Sequence, residues 1–359
     1  MNYRHHYHAG NFADVMKHAA LVQLVRGMQR KDKGFLYLDT HAGRGFYDLA
    51  ASSRGDTLQR KPEHPDGIGR LVAQPVLSGQ TTLTPASTAR PPSAPPPPLA
   101  TRPPFASPPL LASPSPFALC LPLASRPPFT TPSPLASRPL LAPPSPLDDY
   151  LGIVRAFDRR NGNPASSASA LRYYPGSPWL VRALMRSQDR MTLCEKHPGE
   201  YLALHGEFLK EPRVSTHELD GYTAIRAMLP PPEKRALILI DPSYEAQDEY
   251  EKIAQAIREA LRRMPAATIA VWYPLTERAR ADAFLDRLAM LNPPPTFAAE
   301  LTIASASSPS APKMRGCGMA VVNPPWQIDQ TLRPLLDTLA SRLAQVPGGT
   351  ATLDWIVRE

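Results

Sequence analysis

At 359 residues the chain can hold one large domain or two ordinary ones, and its composition is near the globular average except for 45 prolines. The formal net charge of +8 is compatible with a nucleic-acid partner without requiring one, since half of it lies in a single proline-rich stretch. Cys120, Cys194 and Cys317 show no CxxC spacing and exclude a disulfide framework or zinc site, and no long apolar run or signal-peptide pattern is present, so the chain is expected to be soluble, cytoplasmic and off the membrane.

The first ten residues, MNYRHHYHAG, carry His5, His6 and His8, with His18 following. No cysteine or carboxylate cluster accompanies them, so no metal is expected. Tyr3, Arg4 and Tyr7 read as a basic and aromatic arm suited to gripping a nucleic-acid backbone and stacking on bases; a solvated terminus is the alternative. Asn11 to Met28 reads as a helix, capped by Asn11, with Asp14 at capping-box-like spacing and an apolar face of Val15, Ala19, Val22 and Val25. Lys17 and His18 fall on this helix, where a solvated lysine is the plain reading.

Phe35 to Leu38 forms a buried strand that runs into Asp39-Thr40-His41-Ala42-Gly43-Arg44-Gly45. An acid at the strand end followed by Gly-x-Gly suits a nucleotide or cofactor loop, because a backbone without Cβ lets a ligand approach. Asp48 stands where a dinucleotide fingerprint needs its third glycine, which argues against NAD.

Residues 75–146 hold 23 prolines, four arginines and no Asp or Glu, and repeat PLASRP at 122–127 and 134–139. Such a segment offers too little patterned apolar surface to offset its ordering entropy, so a disordered or polyproline-like insertion is expected. The remainder is long enough for a sizeable core.

Beyond the insertion, Asp148 to Arg159 looks helical, and in Arg172 to Pro178 Ser177 can cap a helix opening at Pro178. A helix N-terminus aimed at a ligand is the other use of that position. Strands follow at Met191–Cys194, ending in Glu195, and at Val214–Glu218, leading to Asp220-Gly221. Ala236 to Tyr244, ALILIDPSY, is five apolar residues of buried strand, then Asp241, a ladder-breaking Pro242 and Tyr244. Further strands read at Thr268–Tyr273, Ala298–Ile303 and Met319–Val322, with helices at Gln255–Arg263 and Ala281–Met290. The alternation implies an α/β fold with a parallel, doubly wound sheet.

Four successive candidate strands therefore close in acids: Asp39, Glu195, Asp220 and Asp241. Ligands of open α/β sheets bind at those ends. Glu195 can accept from ribose hydroxyls and Asp220 from an adenine amino group. Asp241 and a nearby carbonyl can accept from an exocyclic amino group while the Tyr244 ring stacks on its base.

An adenosyl-cofactor loop D-x-x-x-G-x-G followed by an aromatic D-P-x-Y resembles the methyltransferases that act on adenine N6. YRHHYHAGNFADVMKH, FLYLDTHAGRG, LRYYPGSP, ALILIDPSY and MAVVNPPW together resemble the bacterial 23S ribosomal RNA adenine-N6 methyltransferase family RlmJ, over nearly all the chain outside the insertion. The resemblance implies a Rossmann-like methyltransferase sheet with a small inserted helical subdomain. Residues 1–45 would be the N-terminal arm, helix and first strand; 46–171 the inserted subdomain, carrying the proline-rich segment at 75–146; and 172–359 the rest of the methyltransferase domain.

It further implies S-adenosyl-L-methionine as methyl donor, lined by His18, His41, Ser177, Glu195, Asp220, Gly221 and Asp241, with Gly43 from the Gly-x-Gly loop. Asp241, Pro242 and Tyr244 would carry the chemistry. Tyr3 and Lys17 would meet the RNA, beside Arg4 of the arm. The expected partner is 23S ribosomal RNA, bound by a monomer without metal or membrane. The family motif is D-P-P-Y, and Ser243 replaces its second proline; this is expected to soften the loop rather than abolish activity.

A DNA adenine-N6 methyltransferase would use the same site. A proline-rich interaction protein is an alternative from another class, since PxxP repeats suit SH3- or WW-like partners. A damaging insertion is a third, but long surface insertions cost only about 0.6 kcal/mol per doubling of length, so folding should survive.

Overall fold

The computed structural model describes residues 7–53, 61–73, 144–163, 170–304, 314–345 and 349–358. They belong to one compact unit spanning 1–76 and 143–359. The proline-rich stretch lies outside the described residues except at its very end. There Ser145 caps a helix and Pro146 opens it, two residues earlier than Asp148, because a serine cap followed by proline suits the first turn.

The chain opens with α1 (Phe12–Gln29), capped by Asn11, whose side chain accepts from the Asp14 amide. α1 is buried almost all round rather than on one face, which marks a core helix. It leads to β1 (Leu36–Asp39), then β2 (Phe46–Asp48), α2 (Leu49–Ser53), a 3₁₀ turn at His64–Asp66, α3 (Ile68–Ala73) and α4 (Pro146–Arg160). β3 (Tyr173–Pro175) returns to pair antiparallel with β2, so the long excursion leaves and rejoins at one place. Buried Asp158 tightens that return, accepting from the Arg172 and Tyr173 amides at 3.1 and 2.9 Å.

The remaining elements are α5 (Ser177–Leu184), β4 (Arg190–Glu195), α6 (Pro198–Phe208), β5 (Val214–Glu218), α7 (Gly221–Met228), β6 (Ala236–Ile240), α8 (Glu249–Arg263), β7 (Thr268–Pro274), α9 (Arg278–Met290), β8 (Thr296–Thr302), β9 (Gly316–Val322), α10 (Ile328–Leu343) and β10 (Thr350–Val357). Among the described residues they form an eight-stranded sheet in the order β10-β8-β9-β7-β6-β1-β4-β5. β7, β6, β1, β4 and β5 run parallel, whereas β9 is antiparallel to β7 and β8, and β10 to β8. The sheet is thus mixed, not wholly parallel as the strand–helix alternation suggests. No helical pattern lies between β8 and β9, and only a crossover lets consecutive strands run parallel.

The sheet is buried on both faces. Tyr37, Leu237 and Leu239 face the core under α1, while Leu36, Leu38, Ile238 and Ile240 face the opposite one. All five residues of β6 are buried, which is why its sequence is a continuous apolar run instead of an alternation. Each such side chain contributes about 1.5–3 kcal/mol on leaving water. This rigid centre fixes the ends of β6, β1, β4 and β5 side by side.

Candidate active site

Those four adjacent ends carry Asp241, Asp39, Glu195 and Asp220, with Asp39 level with Leu239 and Leu193 of its neighbours. A cavity of about 1200 Å³ opens over them. Lys17, His18, His41, Gly43, Ser177, Glu195, Asp220, Asp241, Pro242 and Tyr244 all line it. Gly221 does not; it packs behind the wall, where a Cβ would fall 2.1 Å from the Thr40 carbonyl oxygen. Tyr3 and Arg4 lie outside the described residues. Tyr7, grouped with them as an exposed arm, is buried at 2% exposure, and its carbonyl accepts from the Glu63 amide at 3.1 Å. An aromatic ring that close to the domain gains more from the core than from solvent.

The loop after β1 is built by its acids. Gly43 has φ +60°, in the left-handed region that favours glycine, and its amide donates to Glu195 Oε2 at 2.9 Å. Glu195 Oε1 accepts from the His197 amide at 2.7 Å, so this carboxylate ties two strand-end loops together. Asp220 caps α7, taking the Tyr222 and Thr223 amides at 3.1 Å each. Burial alone would raise its pKa, but the Thr223 amide and Lys196 outweigh burial and hold it below the ordinary value. His41 is pushed below its ordinary pKa by burial, although Asp241, Glu195, Glu249 and Asp220 all pull the other way. A cavity so rich in carboxylates suits a cationic ligand.

Asp39 lies beneath the floor, fully buried. Its Oδ2 accepts from the Ser177 hydroxyl at 2.7 Å and the Tyr37 hydroxyl at 2.8 Å, and Oδ1 from the His41 amide at 3.3 Å. Ser177 therefore does not cap α5, as its position before a proline suggests. Gly176 is the cap residue, and the serine hydroxyl goes to the more demanding partner, a desolvated acid.

Lys17 is the largest departure from the sequence reading. It is not solvated: its Nζ donates to Asp241 Oδ2 at 2.5 Å and to Asp14 Oδ1 at 2.8 Å. Burial alone would lower its pKa, but the two carboxylates overcome that and hold it well above the ordinary lysine value. Asp14 consequently makes only half a capping box. Its amide donates to Asn11 Oδ1, while its side chain accepts from Lys17 and the Gly10 amide instead of returning to the cap. Nothing local in the sequence pairs Lys17 with a residue so far along the chain.

The loop after β6 is held by its aromatic residue. Tyr244 sits at φ +55°, and its hydroxyl donates to the Trp272 carbonyl on β7 at 2.5 Å. Its ring packs against Tyr250 and Trp272 at centroid distances of 5.0 and 5.8 Å. Tyr244 is legible in the sequence, whereas Trp272 is not, because its role comes from a main-chain oxygen and leaves no residue-type signal. Among the described residues no group of three or more His, Cys, Asp or Glu is gathered as a metal site, and no helix is long and apolar enough to cross a membrane.

A family model described as "Ribosomal RNA large subunit methyltransferase D, RlmJ" matches residues 142–357. The chain belongs to this family. It is 31% identical to the Ribosomal RNA large subunit methyltransferase J of Escherichia coli (strain K12) over 359 residues, covering all of both chains. It is 29% identical to the protein of the same name from Haemophilus influenzae, again over the full length of both. Among solved structures, protein LPL1258 from Legionella pneumophila matches with a TM-score of 0.66 and 28% identity, over 97% of this chain and 98% of that one. Family membership makes the chain a methyltransferase and agrees with the site lying at the carboxyl ends of the central strands.

Proposed function

We propose that the chain transfers a methyl group from S-adenosyl-L-methionine to the N6 amino group of an adenine in 23S ribosomal RNA. The observation that carries this reading is the state of Asp241. Lys17 occupies its Oδ2, while Oδ1 has no hydrogen-bond partner among the described residues and the side chain lines the cavity. One oxygen is anchored and the other is presented.

The donor set fits the proposed ligand. Glu195 and Asp220, on neighbouring strand ends, are acceptors placed for ribose hydroxyls and an adenine amino group. His41, Ser177 and Gly43 complete that side, and Gly221 keeps the Thr40 backbone close behind it. When bound, the donor supplies a methyl group on a positively charged sulfur.

The chain's own residues do the rest. An adenine amino nitrogen is a poor nucleophile because its lone pair is delocalised into the ring. Asp241 Oδ1 and the Pro242 carbonyl accept its two N–H bonds and localise that lone pair, while Tyr244 stacks on the base. The N6–CH₃ bond forms as the S–CH₃ bond breaks, and the proton lost from N6 leaves toward Asp241. Positioning and electrostatics supply most of the acceleration. The target base must leave its stack to enter the cavity, which favours a loop or bulge of RNA. Lys17, buried in the wall of the same site, orients Asp241; together with Tyr3 and Arg4 of the N-terminal arm it is proposed to meet the RNA.

The test is methyl transfer from labelled donor to protein-free 23S ribosomal RNA and, separately, to duplex DNA, with digestion to nucleosides. N6-methyladenosine from RNA alone is expected. Label found only in DNA overturns the substrate, and label on ribose or another base overturns the chemistry.

A further inference from the structure

Four strands of the central sheet carry opposite charges at their two ends. β1, β4, β5 and β6 close in acids at the cavity, and they open in bases at the other edge: Lys33 shortly before β1, Arg190 at the start of β4, Arg213 before β5 and Arg235 before β6. Arg30 and Arg235 donate there to main-chain carbonyls, of Trp326 and of Lys33 and Met28, so no carboxylate offsets their charge. The side chains of Lys31, Lys33 and Arg213 have no partner among the described residues. Of the acids at this edge, Asp189 is paired with Arg186 and Glu233 with Arg190, while Asp32 is exposed. Burial and the nearby Arg186 hold Arg235 below the ordinary arginine value, against the pull of Asp189. Positive charge is therefore in excess here.

At the same edge a second cavity, of about 370 Å³, is lined by Pro324, Trp326, Trp355, Arg358 and the first turn of α10. Trp326 is 68% exposed, the only exposed Trp, Tyr or Phe among the described residues. The loop that carries it is firmly held. The Asn323 amide donates to the Pro295 carbonyl at 2.8 Å, and the Asn323 carbonyl accepts from the Thr268 hydroxyl at 2.8 Å. Pro325 packs so tightly on α1 that a Cβ on Gly27 would fall 2.8 Å from the proline Cβ. Trp355 is braced by Phe297, with ring centroids 5.4 Å apart. Arg358 has no partner among the described residues, and Asp329 is the one acid of the cavity lining.

A rigid, exposed indole in basic surroundings fits an unpaired base with its flanking phosphates. Charge argues against two other occupants. The proline-rich stretch 75–146 has four arginines and no Asp or Glu, and would bring positive charge to positive charge. A second copy docked through the same face would do so too.

We infer that this rear edge is a second RNA contact site, in which Trp326 stacks on an unpaired base and Arg30, Lys33 and Arg358 hold the neighbouring phosphates. It lies well away from the target adenine. Pro274 of β7 lines the active-site cavity and Thr268 bonds Asn323, so the seven residues of this strand set the two sites about 20 Å apart. The inference rests on the proposed RNA substrate and adds to it a contact that takes no part in the chemistry.

The test is steady-state methyl transfer to protein-free 23S ribosomal RNA by the full-length parent and its variants, with RNA affinity measured over a range of salt. Trp326→Ala is expected to raise KM about tenfold, the loss of one base stack, with kcat and S-adenosylhomocysteine affinity within about twofold. Trp326→Phe, which keeps a ring, is expected to recover most of the loss. Lys33→Gln is expected to flatten the salt dependence of RNA affinity, as removal of about one phosphate contact does. A parent that methylates RNA while Trp326→Ala matches it in KM overturns this inference alone. A parent that methylates no RNA overturns the substrate reading and this inference with it. Sedimentation as a dimer that Trp326→Ala splits assigns the face to a second copy and overturns the inference. Binding of a synthetic peptide of residues 122–139 that Trp326→Ala abolishes assigns it to the chain's own proline-rich stretch, with the same consequence.

Discussion

Lys17 of α1 and Asp241 beyond β6 are 224 residues apart in the chain and 2.5 Å apart in the fold. With Asp14 they form an acid–base–acid triad, Asp14 and Lys17 buried and Asp241 facing the cavity, in which one ammonium serves two carboxylates. The triad fastens the first helix to the strand end that carries the proposed chemistry.

Replacing Lys17 by Met leaves Asp14 buried without its cation. Breaking a buried pair in this way costs about 3–5 kcal/mol. Urea unfolding of Lys17→Met is therefore expected to show a loss of about that size, and Asp14→Asn added to it is expected to return part. A double variant as destabilised as the sum of the two singles contradicts the coupling.

Asp39 gives a pH signature. Burial, with a smaller push from Asp241, raises its carboxyl to about 6 in the folded state from 3.8, against the hydrogen bonds of Ser177, Tyr37 and His41. A raised folded pKa means the native state binds the proton more tightly. Its stabilising effect is complete below the unfolded value and is lost as pH rises through about 6. Relative to Asp39→Asn, which cannot titrate, the parent is expected to lose on the order of 3 kcal/mol between about pH 4 and pH 7, at about 1.36 kcal/mol per unit. A stability difference that stays flat across this window contradicts the assignment.

Gly221 is a packing requirement, not a conformational one. Its φ is ordinary, yet a Cβ would fall 2.1 Å from the Thr40 oxygen and 2.5 Å from the Thr40 Cβ. Gly221→Ala is expected to destabilise by about 1–3 kcal/mol and to weaken S-adenosylhomocysteine binding, because β1 and the Asp220 cap must separate. Unchanged affinity, read by calorimetry, contradicts this.

Ser243 is exposed, and neither its hydroxyl nor its amide has a hydrogen-bond partner among the described residues. Proline there removes no bond and stiffens the unfolded chain, so Ser243→Pro is expected to add about 0.4–1 kcal/mol with methyl transfer changed by no more than a few-fold. An inactive parent rescued by Ser243→Pro would show that the loop needs the proline.

The parts of the fold legible in the sequence were those written in local periodicity. β6 announces itself because a strand buried on both faces is apolar throughout, and the acids closing β1, β4 and β6 stand directly at the ends of such runs. α6, α7, α10 and β10 were missed for local reasons. α10 starts after Gln327 in a left-handed conformation, with no side-chain cap, and β10 is a half-buried edge strand whose alternation of Thr350, Thr352 and Asp354 with Ala351, Leu353 and Trp355 lacks the continuous apolar run that marks the central strands. Lys17 and Ser177 were misread because their partners lie on other elements. Sequence neighbours suggested solvent and a helix cap, and tertiary placement overrode both.

The central claim is that Asp241 performs the transfer step and is not merely part of the wall. The measurement is methyl transfer to 23S ribosomal RNA by the parent and by Asp241→Asn, with S-adenosylhomocysteine affinity determined for both. The expected result is an active parent and a variant at least about a hundredfold slower, as for loss of a transition-state contact, with affinity within about tenfold. A variant that methylates RNA at the parent's rate contradicts the account.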